Sequence, residues 1–267
     1  MEENKVFNLE GRTALVTGAS GHLGKSIVRA LCEAGAHVIL NGTSSEKIEL
    51  LENELVKSGY SVSTAVFDIT DEMMLKTAAR KIEVIGRLDI LVNNAYSGKS
   101  GTIESSTPES FNSAYNIAVT SAFNIIKSTL PVLKKTAKLT RGGASIINIA
   151  SMYGTVSPDP AIYGDSGENN PPFYGAAKAG LIQLTRYLAC HLAPYNIRVN
   201  SISPGPFPRQ EVISNNPVFV NKLCEKVPMK RVGHPDEIKG PVLFLASDGS
   251  SYVTGINLPV DGGWTAW

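Results

Sequence analysis

Tyr174 and Lys178 stand four residues apart in the segment PFYGAAKAG, a spacing that sets both side chains on one face of a helix. A phenol, with a pKa of about 10, is a poor base at neutral pH. A fixed ammonium beside it favours the phenolate and moves the pKa toward the working range, which makes the pair suited to acid–base chemistry. Far upstream, Thr17-Gly18-Ala19-Ser20-Gly21-His22-Leu23-Gly24 follows a short apolar run and opens a helical pattern. Glycines in such a turn let the backbone approach a pyrophosphate, while the helix N-terminus supplies N–H donors and a positive dipole end. Acid–base work and a dinucleotide cradle together point to a cofactor-dependent enzyme.

Residues so far apart need a frame that gathers them. Seven apolar, β-branched runs recur along the chain: TALVT (13–17), HVIL (37–40), SVSTAVF (61–67), LDILV (88–92), ASIINIA (144–150), IRVNSI (197–202) and GINLPV (255–260). Their lack of polar alternation is that of parallel strands covered on both faces. Helix signals lie between them. Thr107-Pro108-Glu109 places a capping hydroxyl before a proline at the first helical position, and His234-Pro235-Asp236-Glu237 reads as another helix start. Alternating β and α units predict an α/β chain with one doubly wound Rossmann-type domain over residues 1–267. Its seven-stranded parallel sheet would carry helices on both faces and right-handed crossovers. Ligands on such sheets bind at the carboxyl ends of the strands, where each chemically suggestive residue falls.

The bulk numbers exclude several classes. Apolar residues make up 43% of the 267 and charged residues 18%, with a formal net charge of +1 and no long basic run, so no nucleic-acid footprint is present. No stretch of about 18 apolar residues marks a membrane span. The opening MEENKVFNLEGR is neither a signal peptide nor a lipidation site. Cys32, Cys190 and Cys224 are odd in number and far apart, which fits reduced thiols in a cytoplasmic protein. His22, His37, His191 and His234 form no metal-ligand spacing, and no metal is expected.

Cofactor choice should be written at the end of the second strand, where an acid would hold the ribose hydroxyls and repel a 2′-phosphate. The chain reads Asn41-Gly42-Thr43-Ser44-Ser45-Glu46-Lys47, with no acid on the strand end itself. That absence, with three hydroxyls and Lys47, favours NADP over NAD.

Taken together and in order, these residues resemble the short-chain dehydrogenase/reductase family in its compact single-domain branch. The match runs from about residue 9 to the C-terminus. Besides the glycine turn it includes Asp68, Asn93-Asn94-Ala95, Asn116, Ser151, Tyr174-x-x-x-Lys178, Arg198-Val199-Asn200-x-x-x-Pro204-Gly205 and Val260-Asp261-Gly262-Gly263. The resemblance implies that Tyr174 exchanges a proton with the substrate oxygen and that Ser151 hydrogen-bonds that oxygen. It implies that Lys178 holds the nicotinamide ribose and lowers the Tyr174 pKa, and that Asn116 binds a water continuing the relay. Cofactor contacts would come from Gly18, Ser20, Gly21, Leu23 and Gly24 in the turn, and from Thr43 and Ser44 after the second strand. Further contacts would come from Asp68, Ile69, Asn94, Ala95, Tyr174, Lys178, Pro204 and Gly205. On its own Asp68 also reads as a helix cap with Thr70 and Asp71.

The departures from the family carry information of their own. The turn reads T-G-x-x-G-x-x-G, with His22 where the compact branch usually has glycine, and Tyr96 stands where glycine usually follows Asn93-Asn94-Ala95. A side chain at 96 narrows the pocket. Ser151 and Tyr174 are further apart than is usual; Tyr163 lies near the usual distance, but Gly167 stands where its lysine would be. The extra length makes residues 152–173 an inserted active-site loop whose Asp159, Tyr163, Asp165, Glu168, Asn169 and Asn170 face a polar substrate. Residues 206–232 form a second long connection, read as a mobile substrate lid. The expected function is interconversion of a secondary alcohol and a ketone on a polar or sugar-like small molecule. The alternatives are a 3-oxoacyl-thioester reductase and a cofactor-binding regulator without catalysis. Helices at about 107–130 and 174–193 would pair copies of the chain into a homotetramer or homodimer.

Overall fold

The computed structural model describes residues 5–164, 166 and 169–267, so Asp165, Gly167 and Glu168 of the inserted loop lie outside the described residues. Along the chain β1 (Thr13–Val16) leads into α1 (His22–Glu33), and β2 (His37–Gly42) into α2 (Ser45–Lys57). Next come β3 (Val62–Val66), α3 (Glu72–Ile85) and β4 (Ile90–Asn93). The following helical rod is α4 (Pro108–Tyr115), a π-turn over Asn116–Thr120, and α5 (Ser121–Thr136). After β5 (Ala144–Ile149) the chain forms a 3-10 turn at Met152–Gly154, the short α6 (Pro160–Tyr163) and the long α7 (Pro172–Leu192). It closes with β6 (Ile197–Pro204), α8 (Gln210–Asn215), α9 (Pro217–Lys226), α10 (Lys239–Ala246) and β7 (Asn257–Val260).

All seven strands are parallel, in the order β3-β2-β1-β4-β5-β6-β7. The chain leaves β1 toward one edge and returns at β4 to build the other, so a crevice opens between these two strands at their carboxyl ends. The absence of polar alternation in the strands now has its cause. Ala14, Val16, Val38, Leu40, Ile90 and Val92 point into a core shared with α1, α2 and α10. Leu15, Ile39, Leu91, Ile146 and Val199 point the other way, into a core shared with α3, α5 and α7. With both faces covered, alternate positions are apolar on each side, and each large side chain so buried contributes roughly 1.5–3 kcal/mol.

Local signals place the helices. Thr107 caps α4 in a capping box with Ser110, with Pro108 following it. His234 and Glu237 form a capping box ahead of the 3-10 turn Pro235–Ile238, which runs on into α10. Two expectations are modified. The helix predicted at about 107–130 is interrupted by the π-turn that starts at Asn116, whose carbonyl accepts from both the Ser121 N–H and the Ser121 hydroxyl (2.8 Å). On α7, Ala177, Leu181 and Leu188 pack inside the subunit, leaving Ala176, Ala179 and Tyr187 outward.

Candidate active site

The turn from β1 to α1 is stapled to the end of β4. The buried Thr17 hydroxyl accepts from the N–H groups of Asn94 (2.9 Å) and Ala95 (3.1 Å). In return the Asn94 carboxamide donates to the carbonyls of Thr17 (2.9 Å) and Gly18 (3.1 Å). Gly18 has φ +64, and a Cβ there would stand 2.9 Å from Ala95 Cα, so only glycine suits the position. At Gly24 a Cβ would fall 2.1 Å from the Gly18 carbonyl oxygen, which seats α1 directly on the turn. Gly21 occupies the N-cap of α1 and supplies no side-chain acceptor, so the N–H groups of the first helical turn, His22 to Gly24, have no cap. A cradle of this shape and polarity fits the pyrophosphate of a dinucleotide.

Next to it, the residues expected to meet the adenosine half fall at adjoining strand ends. Gly42 and Thr43 present no carboxylate, while Ser44 is the N-cap of α2 and accepts from Lys47 N–H at 3.4 Å. Asp68 is exposed, and one of its oxygens accepts from Thr70 N–H (2.8 Å) and the Thr70 hydroxyl (2.7 Å). The cap of α3 is Asp71 and not Asp68, so Asp68 shapes the loop without ending a helix. Ile69, Thr17, Ala95 and Lys178 line a cavity of about 10 Å³, room for one water.

The residues expected to carry acid–base chemistry converge from β5 and α7. Ser151 follows β5, is buried, and its hydroxyl caps the 3-10 turn by accepting from Tyr153 N–H at 3.2 Å. The Ser151 side chain also lies beside Tyr174, close enough to favour its phenolate. Burial raises the Tyr174 pKa, and Ser151 beside it pulls it back. One turn along α7, the buried Lys178 donates from Nζ to the Ile149 carbonyl at 2.7 Å. Burial without an acidic partner lowers the Lys178 pKa to about 7. Its Nζ lies 5.7 Å from the Tyr174 ring centroid and spends its hydrogen bond on the Ile149 carbonyl. Pro204 ends β6, and a Cβ at Gly205 would fall 2.6 Å from Asp261 Cα, which brings this strand end tight against β7.

Tyr163 is no rival to Tyr174. Its hydroxyl faces Tyr153 and the Asn170 backbone, and its ring packs on Phe219 with centroids 5.6 Å apart. Asp159, expected to face the substrate, caps α6 by accepting from Ala161 N–H (3.0 Å) and pairs with Lys226 (2.9 Å). These two groups of the inserted loop therefore serve its own structure.

Sequence reasoning did not find three arrangements around the site. His22 Nε2 donates to the Phe207 carbonyl at 3.0 Å, tying the phosphate turn to the start of the 206–232 segment; burial keeps this imidazole's pKa below its usual value. The inserted loop and that segment share a small apolar core of Met152, Ile162, Leu223, Val227 and Trp264. A buried polar chain runs from Asn93 Nδ2 to Asn148 Oδ1 (2.8 Å) and from Asn148 Nδ2 to the Thr185 hydroxyl (2.9 Å), linking β4, β5 and α7 under the site. Only the position of His22, replacing a glycine, gave a signal in advance.

Residues 18–265 match the family model described as enoyl-(acyl carrier protein) reductase. The chain belongs to the short-chain dehydrogenase/reductase family. It is thus an NAD(P)-dependent oxidoreductase acting on CH–OH or keto groups. The Thermotoga maritima 3-oxoacyl-[acyl-carrier-protein] reductase is 34% identical, over 96% of this chain and 99% of that protein. Among solved structures, a gluconate 5-dehydrogenase from Burkholderia cenocepacia in complex with NADP and tartrate superposes with a TM-score of 0.87 at 29% identity, covering 98% of each chain. The Pseudomonas aeruginosa RhlG/NADP active-site complex superposes at 0.88 with 33% identity, covering 97% of this chain and 98% of that one. No helix among the described residues is long and apolar enough to cross a membrane.

Proposed function

We propose that this family member interconverts a secondary alcohol and a ketone on a polar, sugar-like substrate, with NADP preferred. The observation that carries the reading is the convergence of Ser151, Tyr174 and the buried Lys178, one helical turn from Tyr174, at the carboxyl ends of the strands. When bound, the nicotinamide supplies or accepts the hydride. Tyr174 exchanges the proton with the substrate oxygen, and Ser151 hydrogen-bonds that oxygen and holds the phenol in place. Lys178 favours the phenolate and offers its remaining N–H donors to the nicotinamide ribose. Asn116, at the start of the π-turn, holds the water end of the relay. The dinucleotide is held by Gly18, Ser20, Gly21, Leu23 and Gly24 at the pyrophosphate, with Thr43 and Ser44 at the adenosine ribose. Asp68, Ile69, Asn94 and Ala95 lie along the adenosine, and Pro204 and Gly205 line the nicotinamide pocket.

Two observations support NADP: no carboxylate closes β2, and solved neighbours carry NADP. A polar substrate is supported by Asn169 and Asn170 in the inserted loop and by the likeness to the gluconate 5-dehydrogenase. A 3-oxoacyl thioester is the second reading, favoured by the Thermotoga relative and by the apolar side of α9. Pairing of copies into a homodimer or homotetramer is supported by exposed Phe111, Tyr115, Phe123 and Tyr187 on α4, α5 and α7; light scattering at micromolar concentration measures it. The deciding experiment follows NADPH and NADH oxidation with ketoses, keto sugar acids and acetoacetyl thioesters. The reading requires turnover of a hydroxylated ketone, faster with NADPH. A strong preference for the thioester would replace it with the second reading.

A further inference from the structure

Tyr96 occupies the position where the family usually has glycine, and its side chain reaches the acid–base centre. Its ring meets the Tyr174 ring edge to face, with centroids 5.0 Å apart and planes at 71°. Lys178 Nζ lies 4.9 Å from the Tyr96 ring centroid. A phenylalanine would make both contacts equally well. The hydroxyl is what needs explaining: it is buried and has no hydrogen-bond partner. Gly98 leaves it room, since a Cβ there would stand 3.0 Å from the Tyr96 oxygen. The small cavity beside Lys178 is not lined by Tyr96, so a water lodged there is not its partner.

One other buried side-chain atom among the described residues is unpaired, Asn170 Oδ1. It belongs to the inserted loop, next to Asn169, whose carbonyl accepts from Gly101 N–H at 3.1 Å. The segment carrying Tyr96 and the segment carrying Asn170 are therefore tied together, and each contributes one unsatisfied polar atom. Buried polar groups are paired in native structures, so each exception calls for a partner, and beside a substrate site a bound ligand is one such partner. The two groups are complementary in kind. Burial, with Tyr174 nearby, pushes the Tyr96 pKa up to about 12, so the phenol is a donor at neutral pH. An amide oxygen is an acceptor. A substrate hydroxyl, which accepts and donates, can pair with either; the acyl chain of a thioester offers nothing to Asn170.

We infer that Tyr96 and Asn170 are specificity-determining residues that read hydroxyl groups beside the reacting carbonyl, selecting polyhydroxy ketones or keto acids over plain ketones. The inference rests on the alcohol–ketone reading above and names what that site discriminates. A site that pairs a substrate hydroxyl rejects an analogue lacking it, because its own polar groups are then left unpaired.

The test uses a matched pair, 5-keto-D-gluconate and 5-oxohexanoate, which share the ketone and carboxylate and differ in hydroxyls. The readout is the ratio of their kcat/KM values for the whole protein with NADPH. Wild type should prefer the hydroxylated acid. Tyr96→Phe should lower the ratio by about 10-fold or more, mainly through KM, equivalent to about 1.4 kcal/mol of lost discrimination. Asn170→Ala should act in the same direction, and the double variant should lose less than the product of the two factors. NADPH fluorescence titration of each variant checks that it has folded. A Tyr96→Phe ratio within twofold of wild type overturns the inference while leaving the alcohol–ketone reading intact. If wild type reduces neither acid nor any other ketone offered, the underlying reading fails, and the inference with it.

Discussion

The glycine turn between β1 and α1 and the segment between β6 and α10 both lie over the carboxyl ends of the strands, yet different forces hold them. In the turn, every contact has backbone on at least one side: Gly24 has the Gly18 carbonyl where a Cβ would sit, and four hydrogen bonds between side chain and backbone tie Thr17 and Gly18 to Asn94 and Ala95. The segment meets the inserted loop through its own long side chains. Phe219 meets Tyr163, Lys222 donates to the Ala161 carbonyl (3.0 Å), and Lys226 pairs with Asp159 (2.9 Å). Backbone contacts leave one geometry; side-chain contacts can break and re-form. On the proposed reading, the part that would grip the dinucleotide is the rigid one, and the part that would face the substrate is held so that it can move.

The largest effect should come where the two regions meet, at the acid–base residue. Tyr174→Phe keeps the ring and its contact with Tyr96 but removes the proton, so kcat should fall by at least about 10²-fold. NADPH binding and thermal stability should stay close to wild type. Tyr163→Phe, within the substrate side, should cost far less turnover because its hydroxyl faces its own loop. Steady-state kinetics on the two variants decides the matter. The opposite ranking would move the reaction centre into the inserted loop.

Glycine substitutions probe the contrast directly. Gly24→Ala drives a methyl against the Gly18 and Ala19 carbonyls at 2.1 and 2.8 Å, and neither can move without opening the turn. It should cost about 1–3 kcal/mol of stability. It should also weaken NADPH binding by roughly tenfold or more as the cradle deforms. At Gly233 the obstacle is the Phe207 ring at 2.6 Å, a side chain free to swing. Gly233→Ala should therefore change Tm less and leave NADPH affinity nearer to wild type. Equal losses would mean that the segment is as rigid as the turn.

How much of this was legible in the sequence follows the same division. The strands, the seven-stranded parallel sheet and the crevice were readable because they depend on local apolar runs and on glycines whose need is backbone geometry. The Tyr174–Lys178 spacing was readable because a helix fixes which side chains share a face. What could not be read depends on contacts between distant segments. Asp159 and Tyr163 looked like groups offered to a substrate, but Lys226 and Phe219, more than fifty residues on, turn them to structural use. Likewise Lys178 was expected to act on Tyr174 as a close neighbour, while the Ile149 carbonyl claims its Nζ.

Lys178 gives a stability prediction with a definite sign. Its pKa falls from about 10.5 when exposed to about 7 in the folded chain. Below pH 7 it is charged in both states, and folding bears the full cost of burying the charge. As pH rises from 7 toward 10.5 the folded chain sheds the proton while the unfolded chain keeps it, so this cost fades. Lys178→Met should therefore be more stable than wild type at pH 6, by about 1–3 kcal/mol after the lost Ile149 hydrogen bond is allowed for. The advantage should shrink by pH 9, while activity is lost at both. Thermal melts of the cofactor-free protein at the two pH values measure it; a gap that widens with pH would show that the ammonium is not buried as described.

The smallest effect concerns how the inserted loop and the 206–232 segment move. Their shared core of Met152, Ile162, Leu223, Val227 and Trp264 makes them one packed unit. Hydrogen exchange in the cofactor-free protein should show amides of 152–164 and 206–232 opening together, and both gaining protection with NADPH and substrate. Phe219→Ala removes the ring that holds Tyr163, so it should speed exchange in both segments while leaving the β1–α1 turn unchanged. Lys226→Met breaks a largely exposed pair and should leave Tm without measurable change, shifting only exchange near Asp159. If Phe219→Ala loosened 206–232 alone, the two segments would be independent, and closure over the substrate would belong to one of them. Coupled loosening would instead mean that the insertion lengthens the lid, so that substrate bound against the inserted loop closes the segment tied through His22 to the phosphate turn.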